Sequence, residues 1–318
     1  MERMNFATVH QSVLLTEALE GLRVRSGGVY LDATLGGGGH TRAMLEASAP
    51  EGRVYGVDRD PAALRRAEAS LAEFGGRFRG VHGNFAELIS LAQEAGLASV
   101  DGVLMDLGVS SDQLDTPERG FSFRFAGPLD MRMDPTRGVS AGEWLASHSE
   151  EEIADTVYRL GEERQSRRIA RAVVRARDAG ELETTLDLAD TVERAVGGRK
   201  GARIHPATRT FQALRMAVNE ELESVERGVE AALRLLKTGG RLAVITFHSL
   251  EDRLVKQIFR RHEGREESLY EGGSVWRGEE PRGIRVTRKP VTASEAECSL
   301  NPRARSAKLR ILEKGDAI

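Results

Sequence analysis

Apolar and polar positions fall into two regimes along this chain. From Val29 to Asp106 short apolar runs recur, among them Val29-Tyr30-Leu31-Asp32, Arg53-Val54-Tyr55-Gly56-Val57-Asp58, Phe78-Arg79-Gly80-Val81-His82-Gly83-Asn84-Phe85 with its exit loop, and Val100-Asp101-Gly102-Val103-Leu104-Met105-Asp106. Runs of this length bounded by turn residues predict buried strands, and the helical spacing between them, as over Ala62 to Phe74, predicts a doubly wound parallel sheet. His10 to Leu19 reads as a short lead-in and a helix ahead of the first strand. Beyond Asp106 the alternation stops. Gly120 to Pro135 has no clear period and reads as an ordered loop, and Ser149-Glu150-Glu151-Glu152 is a capping box that starts a helix running through Leu160. Further helical patterns cover about Arg164 to Arg177 and Leu186 to Val196. The first regime resumes at Thr210. Phe211 to Leu236 has the spacing of one long helix, Arg241 to His248 that of a fifth strand, and Leu250 to Arg261 that of another helix. The tail from Gly272 to Pro302 reads as loop and hairpin, and Ala307 to Leu312 as a last strand. The expected organisation is an α/β domain of residues 1–110 and 209–318, interrupted by an all-helical domain of residues 111–208.

The stretch that organises this pattern is Leu31-Asp32-Ala33-Thr34-Leu35-Gly36-Gly37-Gly38-Gly39-His40-Thr41, a strand, a glycine turn and a helix start. Glycine accepts backbone angles that other residues resist and lets a ligand approach the chain closely. The free N–H groups of the following helix would face an anionic group. No lysine follows the glycines, which disfavours a phosphate-binding P-loop. A dinucleotide fingerprint started at Gly36 would need a third glycine at Thr41, and one started at Gly37 would need it at Arg42, so NAD and FAD are disfavoured too. The loop resembles instead the S-adenosylmethionine loop of class I methyltransferases, with one departure, Thr34, where that pattern places its first glycine. In that class the late strand Ala307 to Leu312 is expected as an antiparallel edge.

Composition changes the picture little. With 318 residues, 40% hydrophobic and 30% charged, the chain suits about two soluble domains, and no apolar run is long enough to span a membrane. The start Met1-Glu2-Arg3-Met4-Asn5 lacks the layout of a signal peptide, so a cytoplasmic location is expected. The one cysteine, Cys298, excludes an internal disulfide framework and a cysteine-based zinc site. A formal charge of −3 is uninformative, but its distribution is uneven. Arg159, Arg164, Arg167, Arg168, Arg171, Arg175 and Arg177 crowd the helical block, and Arg282, Arg285, Arg288, Lys289, Arg303, Arg305, Lys308 and Arg310 the tail, a distribution suited to a polyanionic partner.

Candidate site residues follow from the strand ends, because ligands of doubly wound sheets bind there. Asp58, about 20 residues past the glycines, is suited to ribose hydroxyls; the competing role is a helix N-cap, since Pro61 follows closely. Phe85, at the exit of the third strand, can pack on an adenine face. Asp106 closes the fourth strand and, with the backbone after it, can hold an exocyclic amine and orient its lone pair. Leu107-Gly108-Val109 follow it in place of the Pro-Pro-aromatic motif of many amino-methyltransferases. His248 and Ser249 stand at the end of the fifth strand, as substrate contacts or as a structural histidine and a capping serine.

Taken together the segments resemble the bacterial 16S ribosomal RNA (cytosine-N4)-methyltransferases over nearly the whole chain. The resemblance rests on His10 with Val13-Leu14-Leu15 and Glu17, the loop Asp32 to His40, Met105 to Ser111, Gly127 to Asp134, Gly161 to Arg164, His205 to Arg215, Phe247 to Arg253 and Asn301 to Arg310. Ala126 and Gln165 depart from it. It implies S-adenosylmethionine as cofactor, held by Gly38, Gly39, His40, Asp58, Phe85, Asp106 and Gln113, of which His40 and Gln113 rest on the family alone. It implies as substrate a cytosine in the decoding region of 16S ribosomal RNA, in the small ribosomal subunit, methylated on N4; the base would have to be unpaired. The rival readings are a class I methyltransferase of a DNA base or a protein, a Rossmann-like oxidoreductase, and an RNA-binding protein with a vestigial pocket.

Overall fold

A computed structural model of the chain describes residues 12–199, 201, 204–268 and 274–316. It divides into two compact units, Met1–Gly108 with Leu222–Ile318, and Val109–Glu221. The strands, all in the first unit, are β1 (Val29–Asp32), β2 (Arg53–Asp58), β3 (Phe78–His82), β4 (Val100–Asp106), β5 (Leu236–Thr246), β6 (Arg265–Ser268), β7 (Ser274–Arg277), β8 (Gly283–Arg285), β9 (Val291–Thr292) and β10 (Lys308–Lys314).

The main sheet has the order β3-β2-β1-β4-β5-β10-β8, parallel from β3 to β5, with β10 antiparallel to both its neighbours. Alternation along the strands sorts their side chains into two cores. Leu31, Val103, Met105, Leu242 and Val244 pack with Val225, Val229, Val255 and Phe259 on one face. Tyr30, Leu104, Ala243 and Ile245 pack with Leu14, Ala18, Met44 and Leu45 on the other. Both faces are thus covered, as a parallel sheet requires, which is why its strands read as nearly continuous apolar runs. The reversal of order at β1, with β2 to one side and β4 to the other, opens the crevice above the carboxyl ends of these strands.

Several elements differ from expectation, among them β5, which begins at Leu236 rather than Arg241. The helix Pro61–Ser70 stops short of Phe74, and Ala72–Arg77 continues as 3₁₀ turns. The last long strand is not the edge, because β8 pairs outside it. The expected helix from Phe211 to Leu236 is two helices, Ala207–Val218 and Glu221–Leu235. Between them Glu220 takes a left-handed φ of 48°. Asn219 turns its side chain away from the helix path, donating to the Met131 carbonyl at 2.7 Å and accepting from Met133 N–H at 2.8 Å. Apolar spacing continues through the break and hides it. Gly272 and Gly273 of the tail, and His10 and Gln11 of the lead-in, lie outside the described residues.

The second unit contains the helices Ser111–Asp115, Ala141–Ser147, Glu150–Gly161, Ser166–Asp178, Thr185–Val196 and Ala207–Val218. Helix Ala207–Val218 belongs here, past the boundary near residue 208 that the pattern suggested. Capping boxes at Ser140, Ser149 and Thr184 fix helix starts. The stripe Ile153, Val157, Ile169, Val173, Leu188, Val192, Phe211 and Leu214 forms the core. The aperiodic loop is ordered as expected: Phe121, Leu129, Met131 and Met133 are buried in that core. Arg119 donates to the carbonyls of Arg132 and Met133 at 3.0 and 2.9 Å.

Candidate active site

The glycine turn exists because its backbone demands it. Gly36 and Gly38 have φ of 51° and 80°, where a side chain would be strained, and a Cβ on Gly39 would collide with Ser12 Oγ. Gly38 is the N-cap of helix Gly39–Ala47 and supplies no side-chain cap, so the first N–H groups of that helix lack intrahelical partners.

Three acids stand at the ends of the adjacent strands β2, β1 and β4. Asp58 Oδ2 accepts from Gly36 N–H at 2.7 Å and Oδ1 from Asp60 N–H at 2.8 Å, tying the glycine turn to β2. The N-cap of the next helix is Asp60, which accepts from Ala62 N–H at 2.9 Å. Asp58 is therefore relieved of that role, and each of its oxygens keeps a lone pair for a ribose hydroxyl. Asp32, fully buried, accepts from the Thr41 hydroxyl at 2.7 Å and from Thr34 N–H at 3.2 Å. Asp106 N–H donates to Thr34 Oγ1 at 2.6 Å. That bond explains the departure at Thr34, since a glycine could not make it. His40 Nδ1 lies 3.7 Å from Asp106 Oδ2, while Asp106 Oδ1 is buried with no partner among the described residues. Phe85 follows β3, placed by Asn84, whose Oδ1 accepts from Ala86 N–H at 3.0 Å and whose amide donates to Ser224 Oγ at 3.3 Å. A Cβ on Gly228 would come within 2.5 Å of the Phe85 ring, so that glycine makes room for it.

Asp32, Thr34, Thr41 and Glu251 were not among the candidate site residues, although Asp32 had a signal, an acid closing the first strand. At the end of β5, His248 rather than Ser249 is the N-cap, in a capping box with Glu251, and Glu251 accepts from Phe247 N–H at 2.8 Å. Gln113 lies in the helical unit, buried, with its Oε1 accepting from Ser110 N–H at 3.0 Å in another capping box.

Burial dominates the electrostatics. It pushes the carboxyls of Asp32, Asp58 and Asp106 each up to about 6, against the hydrogen bonds to Asp32 and Asp58 and the His40 ring beside Asp106. An acid raised in the folded state binds its proton more tightly there than in the unfolded chain, so it favours folding when protonated. That contribution is complete below the ordinary carboxylate range near about 4 and is lost as pH rises through about 6. Buried His262, raised by its Glu230 partner after desolvation opposes it, acts in the same direction. The cofactor-free protein is therefore expected to melt at a higher temperature at pH 5.5 than at 7.5 by differential scanning calorimetry. A profile that rises over this interval contradicts the assignment.

Three acids thus close neighbouring strands at the point where the strand order reverses, beside a helix start that has no side-chain cap. With its strand order and its antiparallel strand beside β5, the protein is a class I S-adenosylmethionine-dependent methyltransferase. The chain belongs to the MraW methylase family, whose model matches residues 7–315. It is 52% identical over 310 residues, 97% of this chain and 94% of the relative, to a ribosomal RNA small subunit methyltransferase H of Thermomicrobium roseum. To the protein of that name from Sorangium cellulosum it is 54% identical over 301 residues, covering 95% and 89% of the two chains. Among the described residues no helix is long and apolar enough to cross a membrane.

Proposed function

We propose that this chain transfers the methyl group of S-adenosylmethionine to N4 of a cytosine in the decoding region of 16S ribosomal RNA in the small ribosomal subunit, and that the helical unit recognises the RNA. The observation that carries this reading is the identity of about half of all positions, over nearly the whole chain, with relatives named as small-subunit ribosomal RNA methyltransferases. When bound, the cofactor supplies a methyl group already activated by its sulfonium. The residues then have to align the nucleophile and exclude water. The backbone at Gly38, Gly39 and His40, with Asp58, Phe85 and Gln113, holds the cofactor. Asp106 Oδ1 accepts an N–H of the amine, which turns the N4 lone pair out of conjugation with the ring. The base has to leave its helix, because pairing covers N4. Tritium carried from labelled S-adenosylmethionine into small subunits lacking the modification, and recovered as N4-methylcytosine after digestion, is the expected result. Transfer to naked DNA in preference to subunits would overturn it.

The arginines are less uniformly available than their number suggested. Arg177 donates to the carbonyls of Leu145 and His148 at 2.9 and 2.8 Å, and buried Arg310 pairs with Asp252 at 2.7 Å, so both serve the fold. Arg167 and Arg171 make exposed pairs with Asp155 and Glu150 at 4.0 and 3.4 Å, worth little to stability. Arg168 shares their exposed ridge on helix Ser166–Asp178. Replacing Arg167, Arg168 and Arg171 by alanine is expected to weaken RNA binding and to flatten its log–log salt dependence by about 2. An unchanged slope would remove this ridge from the interface.

A further inference from the structure

His40 carries a geometric peculiarity that its place beside the glycine turn hides. Its ring is 6% exposed, and both nitrogens already face protein atoms. Nε2 lies 3.0 Å from the carbonyl of Val13, which can only accept, so Nε2 bears a proton. The other nitrogen, Nδ1, faces Asp106 Oδ2 at 3.7 Å. Asp106 is held from behind by its own N–H on Thr34 Oγ1, and its Oδ1 has no partner among the described residues. Of the described charged or titratable groups bearing on Asp106, Asp32 from β1 and Glu251 from the helix after β5 are like-charged, and His40 favours the carboxylate.

We propose that the His40 side chain is a positioning residue for Asp106, not a contact of the cofactor: with protons on both nitrogens it pairs with the ionised carboxyl across the 3.7 Å from Nδ1 to Oδ2, which leaves Oδ1 to face the amine and take its proton. This rests on the reading of the site as an amine methyltransferase. As the N4 lone pair bonds to the methyl carbon, the pair of the breaking carbon–sulfur bond returns to sulfur and the positive charge passes to the base. N4 then sheds one proton to Asp106 Oδ1. The neutral acid formed gives that proton to solvent after the product leaves, so each turnover releases one proton. Without His40, burial and the two neighbouring acids would hold Asp106 protonated to higher pH, and a protonated carboxyl cannot take the proton of the amine.

The test compares His40→Gln, which keeps a donor at the Nε2 position, with His40→Asn, which keeps one at the Nδ1 position. For His40→Gln the expectation is cofactor affinity within about 3-fold of wild type, kcat at saturating cofactor lower by about 10-fold or more, and an acidic limb of kcat displaced to higher pH. His40→Asn should recover part of kcat. Lost affinity with unchanged kcat, or an unmoved limb, would overturn the proposal. A second readout needs neither RNA nor a variant. In wild-type protein labelled at aspartate carboxyls and histidine nitrogens, the Nδ1 shift of His40 should follow the titration of the Asp106 carboxyl, and independent behaviour would overturn the pairing. If that coupling is found while subunits accept no methyl group from the wild type, the choice of substrate has failed and the pairing stands.

Discussion

Asp106→Asn is expected to lower kcat by about 100-fold or more, while the affinity for S-adenosylmethionine should change by less than about 10-fold. The amide has nearly the shape of the carboxylate and leaves the bond from the residue-106 N–H to Thr34 Oγ1 in place, so the end of β4 keeps its position. What is lost is the capacity of the buried, unpartnered oxygen to take a proton, the kind of contribution that general-base groups make at about 10²–10⁴-fold. The pH dependence sharpens the expectation. With burial pushing the Asp106 carboxyl up to about 6, the wild-type rate should fall on the acid side of that value as the acceptor is filled, and the Asn variant should lose this limb. A variant within about 3-fold of wild-type kcat would show that Asp106 neither holds nor deprotonates the amine.

Asp58→Ala is expected to raise the dissociation constant for S-adenosylmethionine by about 10- to 100-fold, the loss of one or two hydrogen bonds to a charged acceptor. Part of the effect is indirect, because Asp58 also receives the N–H groups of Gly36 and Asp60 at 2.7 and 2.8 Å. Asp58→Asn retains one acceptor and should fall between the two. Stability separates binding from folding here. A carboxyl raised to about 6 by burial costs the folded state something when ionised, so removing it at pH 7.5 should leave the melting temperature of the cofactor-free protein within a few degrees of wild type. Unchanged affinity by calorimetry would take Asp58 out of the site.

How much was legible in the sequence follows from what kind of signal each feature leaves. The strands and the acids Asp58 and Asp106 that close two of them were readable because burial on both faces forces apolar runs, and a charge marks where a run meets the crevice. The break at Asn219 was not, because it is made by one side chain bonding to Met131 and Met133, far away in sequence, while the apolar spacing runs on undisturbed. The caps were half legible. Ser149 announced its helix, but at Asp60 and His248 two polar residues competed for each helix start, and only backbone geometry decides such cases. Thr34 looked like a defect in a glycine motif and is the acceptor that fixes β4. Arginine density overstated the basic surface, since pairs such as Arg310 with Asp252 form between segments that composition cannot bring together.

A crystal structure of the protein with S-adenosylmethionine decides whether one cleft, from Gly38 through Asp58 and Phe85 to Asp106, takes a sulfonium nucleoside. The expected result is ribose hydroxyls on Asp58, the adenine against Phe85, the cofactor carboxylate at the helix start after Gly38, and the methyl group turned toward Asp106 Oδ1. Density for the cofactor elsewhere, or in this cleft with Asp58 and Asp106 both out of reach, would contradict it.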